Sequence, residues 1–423
     1  MHTYDPLSPE SKQDPHELFD QMRRSCPLHH HRMPPSEVAR QEASYMVAEP
    51  TEEFWSLFRY ADVVRVLQEP RVYSNKEGPG PERMLQLGDD GMLLFADDPA
   101  HARQRQIANK AFLPRMVDQR IPLIQQVIDE ILSRLAPEGR ADVVRDMSIP
   151  LTVAMITDIF GVGADRRDDV ARWGPVIMAA MGGEPEVVQA AATATFEMFA
   201  FVTEVIAQRR KALDNGEALP DDVLSAMIQA EHEGSRFTDP EILMCANIFL
   251  VAGYETTATA IGNAIWLLCT HPSERSKLEA DWSRLDHAIE EILRFEPPIE
   301  GTFRSTTEPT RLVDTDLPAR AKVRLVYASA NRDADQFTAP HEFRIDRPVS
   351  ELRRHVTFGQ GPHACLGSAL ARAEIRVALR AILTRLPALR LDPERPSVRS
   401  TALTVNGFSS VPVRWDPPSK GTM

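Results

Sequence analysis

One cysteine of this chain stands where sulfur could hold a metal ion. Cys365 lies within Phe358-Gly359-Gln360-Gly361-Pro362-His363-Ala364-Cys365-Leu366-Gly367, a glycine-rich loop that runs into a helix. Gly359, Gly361 and Gly367 permit positive φ and let a flat ligand approach the backbone, and the N–H groups of the following helix can stabilise a thiolate. A second candidate is Ala252-Gly253-Tyr254-Glu255-Thr256-Thr257, midway along a long apolar segment. An interior Gly costs a helix about 1 kcal/mol relative to Ala, and Thr can bond back to a carbonyl one turn earlier, so the two can open the helix locally beside an acid. Glu291-Ile292-Leu293-Arg294 sets an acid and a base three apart, able to pair on one helix face, with Glu290 as an alternative partner. His101 and Arg105, four apart after Asp97-Asp98-Pro99, share another face.

The elements that must position these residues are mostly helical. Leu366, Leu370, Ala373, Val377 and Ala381 recur at three or four residues, the stripe of a core-facing helix after the cysteine loop. Helical patterns also run over Leu123 to Leu135 and Val187 to Leu213. The clearest helix starts at Thr238-Asp239-Pro240-Glu241, a cap followed by Pro in the first turn, and runs over about 239–271 until Pro272 stops it. At 1.5 Å per residue it is about 48 Å long. Phe54 to Phe58, Arg311 to Val313 and Lys322 to Tyr327 read as strands. The predicted class is mainly α with a small β-sheet region, and no linker or repeat divides residues 1–423, which read as one domain with a flexible tail over about 416–423.

Composition excludes several functions. A net charge of −13 argues against generic nucleic-acid binding. The four cysteines lie far apart and form no CxxC pair, so neither a zinc site nor a disulfide framework is indicated and a reducing cytoplasm is the natural setting. The longest apolar stretch, Ile242 to Tyr254, falls short of the roughly 18 residues of a membrane span, and no anchor or signal peptide is read. His29-His30-His31 reads as a surface loop rather than a metal site.

The cysteine loop, with its Phe, Gly, His, Cys and Gly at fixed spacing, resembles the haem-binding loop of the cytochrome P-450 family, and the order of elements resembles that fold over nearly the whole chain. The resemblance implies a haem-thiolate monooxygenase carrying haem b, with Cys365 as the iron ligand and Phe358, Gly359 and Gly367 shaping its cradle. It implies that His101, Arg105, Arg304 and His363 hold the haem propionates. Ala252 and Gly253 would border the cofactor, while Glu255 and Thr256 would hold dioxygen and relay protons to it. Glu291 and Arg294 match the family's ExxR pair, with Arg347 as third member ahead of Arg344, and Ala330-Asn331-Arg332-Asp333 is a further family-like run. Electrons would come from NAD(P)H through a ferredoxin reductase and a ferredoxin, steered to a cationic patch of Arg103, Lys110 and Arg372, and the protein would be a monomer. By analogy the substrate pocket takes Met92, Leu93, Leu94, Met178, Met181, Phe249, Ile299 and Phe408, with Glu300 and Asn406 as polar anchors, and suits a bulky apolar molecule such as a steroid, terpenoid, fatty acid or macrocycle. A peroxide-using enzyme and a haem-binding sensor are the alternatives, and retention of Glu255 and Thr256 speaks against both.

Overall fold

The computed structural model describes residues 4–44, 48–84, 92–161, 166, 169, 172, 173, 176 and 185–417. Met178, Met181 and the end of the expected C-terminal tail lie outside them. Helices dominate, and the ones that build the site are α1 (Ala100–Ala111), α2 (Ile121–Leu135), α3 (Ile149–Ile159), α4 (Pro185–Asp214), α5 (Asp239–Thr270), α6 (Leu285–Phe295) and α7 (Ser368–Arg385). The main sheet has strands β1 (Leu28–Arg32), β2 (Glu53–Leu57), β3 (Tyr73–Ser74), β4 (Gly301–Thr306) and β5 (Lys322–Val326), in the order β1-β2-β5-β4-β3. Only β5 and β2 run parallel, and β5 is buried along its whole length. The histidine triplet, expected in a loop, is instead in β1, paired with β2: its alternating exposure shows that strand periodicity outweighed its polar composition.

Helix α5 begins with the predicted cap. The Thr238 hydroxyl accepts from Glu241 N–H, and the Glu241 carboxylate accepts from Thr238 N–H at 2.8 Å. The helix is continuous through Gly253, so the local opening expected there is absent. Gly253 instead admits α3, because a Cβ would lie 2.7 Å from Ile156 Cδ1; Gly262 similarly admits Val144, at 3.0 Å. From Thr257 to Leu268 nearly every residue is buried, against α3, α6, α7 and the π-helical turn Val143–Ser148. From Leu243 to Thr256 most side chains are half open. By length and composition 189–214 and 239–270 could each cross a membrane, but α5 packs here as a core helix.

The pair predicted on α6 is closed by a third residue. Arg294 clamps Glu291 with two bonds, Nε to Oε2 at 2.7 Å and Nη2 to Oε1 at 2.8 Å, and Arg347 Nε reaches Oε2 at 3.0 Å. All three are sealed from solvent. Glu290 takes a different role, binding Arg372 and His355, and Arg344 contributes only its backbone N–H to Glu291. Arg294 Nη1 donates to Asn331 O at 2.8 Å; the Asn331 amide then donates to Thr357 Oγ1 at 2.9 Å, and its Oδ1 accepts from Val356 N–H at 2.7 Å. The ion cluster is thereby tied to the residues that lead into the cysteine loop.

The N-terminus is pinned by buried charge. Lys12 Nζ meets Glu300 at 2.6 Å, Arg324 meets the other Glu300 oxygen at 2.7 Å, and His16 faces Glu296 at 3.7 Å, too far for a hydrogen bond. Burial pushes His16 down to about 4, so between that value and its ordinary 6.5 the unfolded chain holds the extra proton and stability falls as pH falls.

Two outcomes follow. Arg294→Ala leaves a buried carboxylate half paired and is expected to cost more than about 3 kcal/mol in urea unfolding; a loss below about 1 kcal/mol would show the cluster is dispensable. His16→Phe is expected to remove about 2 kcal/mol of the stability lost between pH 6.5 and 5, and an unchanged pH profile would place that acid sensitivity elsewhere.

Candidate functional site

The loop at 358–367 adopts the conformation its glycines suggest at two of three positions. Gly359 and Gly361 have φ of 66° and 72°, whereas Gly367 caps α7 at an ordinary φ of −84°. Gly361 sits against the backbone of the helix Tyr60–Gln68, where a Cβ would lie 2.5 Å from Leu67 O. Around Gly367 the Cβ position meets nothing within 4 Å. Cys365 N–H donates to Phe358 O at 2.8 Å, folding the loop back on itself. Arg372 lies over the Phe358 ring at 4.3 Å while its guanidinium holds Glu290. Burial would raise Glu290, but Arg372 and His355 outweigh it and hold the carboxyl at about 2.

The Cys365 side chain is open, although protein surrounds it: it faces a cleft rather than the outer surface. Burial pushes its thiol up, opposed by the Gly367 N–H and by the charges of Arg105 and Arg372. A metal bound there would supply the missing stabilisation of the thiolate.

Cations gather beside it. Arg304 is buried on β4, where it donates to its neighbour's carbonyl, Phe303 O, at 2.7 Å and weakly to Thr302 at 3.5 Å, with Tyr327 and Asp97 also acting on it. Arg105 is half buried on α1. Neither forms an ion pair with a described residue, although desolvating a guanidinium without a counterion costs several kcal/mol. His101, buried on the same helix, stacks on His363 with ring centroids 3.8 Å apart. Burial first, then the charges of His101, Arg304 and Arg105, drive His363 down to about 2. Two guanidiniums without a salt bridge among the described residues, two imidazoles and a thiol fit a flat metal macrocycle bearing carboxylates.

Helix α5 carries a half-open apolar face. Met244, Ile248, Ala252 and Thr256 follow at intervals of four, with Phe249 beside them against Phe112 at 5.0 Å. Thr256 Oγ1 donates to Ala252 O at 2.8 Å. Glu255 forms no ion pair among the described residues, and burial raises its pKa, favouring the protonated acid. Gly253 lies against α3, where a Cβ would meet Ile156.

Several expected pocket residues belong elsewhere. Glu300 is consumed by Lys12 and Arg324, and the Asn406 amide by Glu296 Oε2 at 3.1 Å and Pro297 O at 2.9 Å. Phe408 is buried on Trp266, 4.9 Å away, under Arg399. Met92 and Leu93 are buried, Leu94 and Ile299 half open. The expected cationic patch is also engaged: Arg103 binds Glu241, Lys110 donates to Glu231 O, and Arg372 holds Glu290. Asn331, named in sequence only as part of a run, is the link that motif reading missed.

With the geometry in place, the comparisons converge. The family profile of cytochrome P-450 matches residues 185–406. Cytochrome P-450 107B1 of Saccharopolyspora erythraea is 35% identical over 373 residues, 85% of this chain and 89% of that protein. The steroid C26-monooxygenase of Mycolicibacterium smegmatis is 33% identical over 365 residues, 85% of this chain and 86% of its own. The solved structure of CYP109E1 from Bacillus megaterium in complex with testosterone shares the fold at a TM-score of 0.81 and 27% identity, over 95% of this chain and 99% of that one. The chain belongs to the cytochrome P-450 family and is a monooxygenase, an oxidoreductase whose family implies a haem-thiolate centre.

The loop geometry yields a sharp expectation. Gly361→Ala requires both a positive φ and displacement of Leu67 O, and is expected to lower stability by about 1–3 kcal/mol in thermal unfolding; an unchanged melting temperature would mean the loop can re-seat.

Proposed function

We propose that this chain oxidises a mainly apolar, fairly bulky small molecule at a haem b group held by Cys365. The carrying observation is the convergence of the Cys365 thiol with Arg105 and Arg304, cations that form no ion pair with a described residue. Bound there, haem would supply dioxygen reduction and transfer of one oxygen atom to substrate. Arg105, Arg304, His101 and His363 would hold its carboxylates. The half-buried Glu255, biased toward its protonated form, would act as a proton source, and Thr256 would release Ala252 O to present its hydroxyl.

The apolar stripe Met244, Ile248, Phe249 and Ala252 supports a hydrophobic substrate, because these side chains are open inside the fold and would gain by contact with hydrocarbon. The testosterone complex and the steroid oxygenase among the similar proteins support the same class. Two electrons would arrive singly from a ferredoxin and its reductase, in a cytoplasmic protein acting as one unit.

Cys365→His should abolish the strongly red-shifted Soret band of the reduced carbon monoxide complex, and its persistence would remove Cys365 as ligand. Thr256→Ala should still consume NAD(P)H with surrogate ferredoxin and reductase but release peroxide in place of product. Titration with testosterone should displace the haem spin state more readily than titration with benzoate. Exclusive binding of benzoate would overturn the bulky apolar class.

A further inference from the structure

A hydroxyl stands between the buried guanidinium of β4 and the cysteine loop. Thr302 and Arg304 are two residues apart on β4 and so share one face of the strand, while Phe303 between them packs edge-on against Phe54, 5.3 Å away. Leu325 of β5 pairs with Thr302, and two residues further on Tyr327 opens the helical turn Tyr327–Ala330. The register brings two hydroxyls together: Thr302 Oγ1 and Tyr327 OH are 2.7 Å apart. Arg304 Nη1 donates to Thr302 Oγ1 at 3.5 Å, and Tyr327 lies close enough to act on the same guanidinium. On its other side the Tyr327 hydroxyl borders the loop, 4.0 Å from where a Cβ on Gly359 would stand, a position that is itself 3.8 Å from His363 O. Arg304 in turn acts on His363. Tyr327 therefore stands where the cations and the cysteine loop meet.

Two hydroxyls carry two protons, and the bond between them uses one. No described residue accepts the other, although Tyr327 is only 4% exposed. Because Arg304 donates into Thr302, the favourable order runs from Arg304 to Thr302 to Tyr327, which leaves the phenolic O–H as the unused donor. Asp97 is otherwise engaged: its oxygens accept from Ser74 Oγ at 2.5 Å and from Asn75 N–H at 3.0 Å, and it acts on Arg304 only through space. We propose that Tyr327, backed by Thr302, is a further cofactor-binding residue, its O–H donating to the haem carboxylate that Arg304 neutralises. This rests on the reading of the cleft as the haem site. A neutral donor suits that place: a third guanidinium beside Arg105 and Arg304 would be repelled by both, whereas a hydroxyl adds a bond without adding charge.

The test uses the haem-loaded protein and follows haem transfer to excess apomyoglobin, together with the propionate bending band in the resonance Raman spectrum. Tyr327→Phe keeps the ring and removes the donor. It is expected to speed haem release by about tenfold, the worth of one hydrogen bond to a charged group, and to shift the propionate band. Thr302→Val leaves the phenolic donor in place and should release haem within about threefold of the unmodified rate. A role confined to packing would accelerate release with the band unmoved, and that result overturns the proposal, as does a release rate changed by less than about twofold in Tyr327→Phe. If Tyr327→Phe retains no haem, comparison of Tyr327→Gln with Tyr327→Leu decides. Glutamine keeps an N–H donor and should hold haem about fivefold longer or more, and equal release rates overturn the proposal. Failure of the underlying haem reading would be distinct, because the unmodified protein would then carry no Soret band.

Discussion

Everything near the cysteine depends on one carboxylate shared by two guanidiniums. Glu291 is sealed from solvent with Arg294 and Arg347, and three charges in that setting tolerate very little displacement: any loosened bond leaves a charge in low dielectric. The consequence is positional. Arg294 has donors left after binding Glu291, and it uses them on the carbonyls of Asn331, at 2.8 Å, and Pro340, at 3.0 Å. Asn331 fixes Val356 and Thr357, and Thr357 also ties back to Leu293 O of α6 at 2.7 Å. The cysteine loop therefore leaves a rigid ledge. Its precision comes from a closed circuit between α6, the segment after β5 and the loop itself.

The cleft presents the opposite economy of charge. At the Glu291 cluster every donor meets an acceptor, whereas Arg304 and Arg105 form no salt bridge with a described residue, and Asp97 acts on Arg304 only through space. Such an arrangement is unfavourable in the chain alone and becomes favourable when an anionic group enters. A ligand that binds only the folded state then adds its binding free energy to stability. A cofactor held there would thus act as a structural component as well as a reagent, with His101 and His363 at hand for its carboxylates.

Local chemistry was legible in the sequence where it is local in the chain. The cap at Thr238, the Glu291–Arg294 pair and the loop around Cys365 involve neighbours within a few residues, so spacing alone constrains them. The polar anchors proposed for the pocket were misread because their partners are remote. Glu300 meets Lys12 across 288 residues, and Asn406 meets Glu296 across 110. No periodicity encodes such a pairing. The same holds for Arg103, Lys110 and Arg372, which look like free surface cations until tertiary structure supplies Glu241, the Glu231 carbonyl and Glu290. Gly253 is the instructive intermediate case. Its position in a helix signalled an unusual demand, but the demand is the approach of Ile156 and not an opening of the backbone.

That distinction explains how a single helix can serve two purposes. The C-terminal half of α5 is buried on nearly every side and carries the packing, with Gly262 admitting Val144 and Asn263 anchoring the backbone at Asn406. The N-terminal half is held by its capping box and by contacts on one side, leaving Met244 through Thr256 open along the other. Reaction chemistry needs an exposed hydroxyl and acid at a fixed place, and fixed places come from packing. Thr256 stands at the junction of the two halves, one residue before burial becomes continuous. Its backbone is thus as constrained as the core while its side chain stays half open, its hydroxyl held only by the bond to Ala252 O.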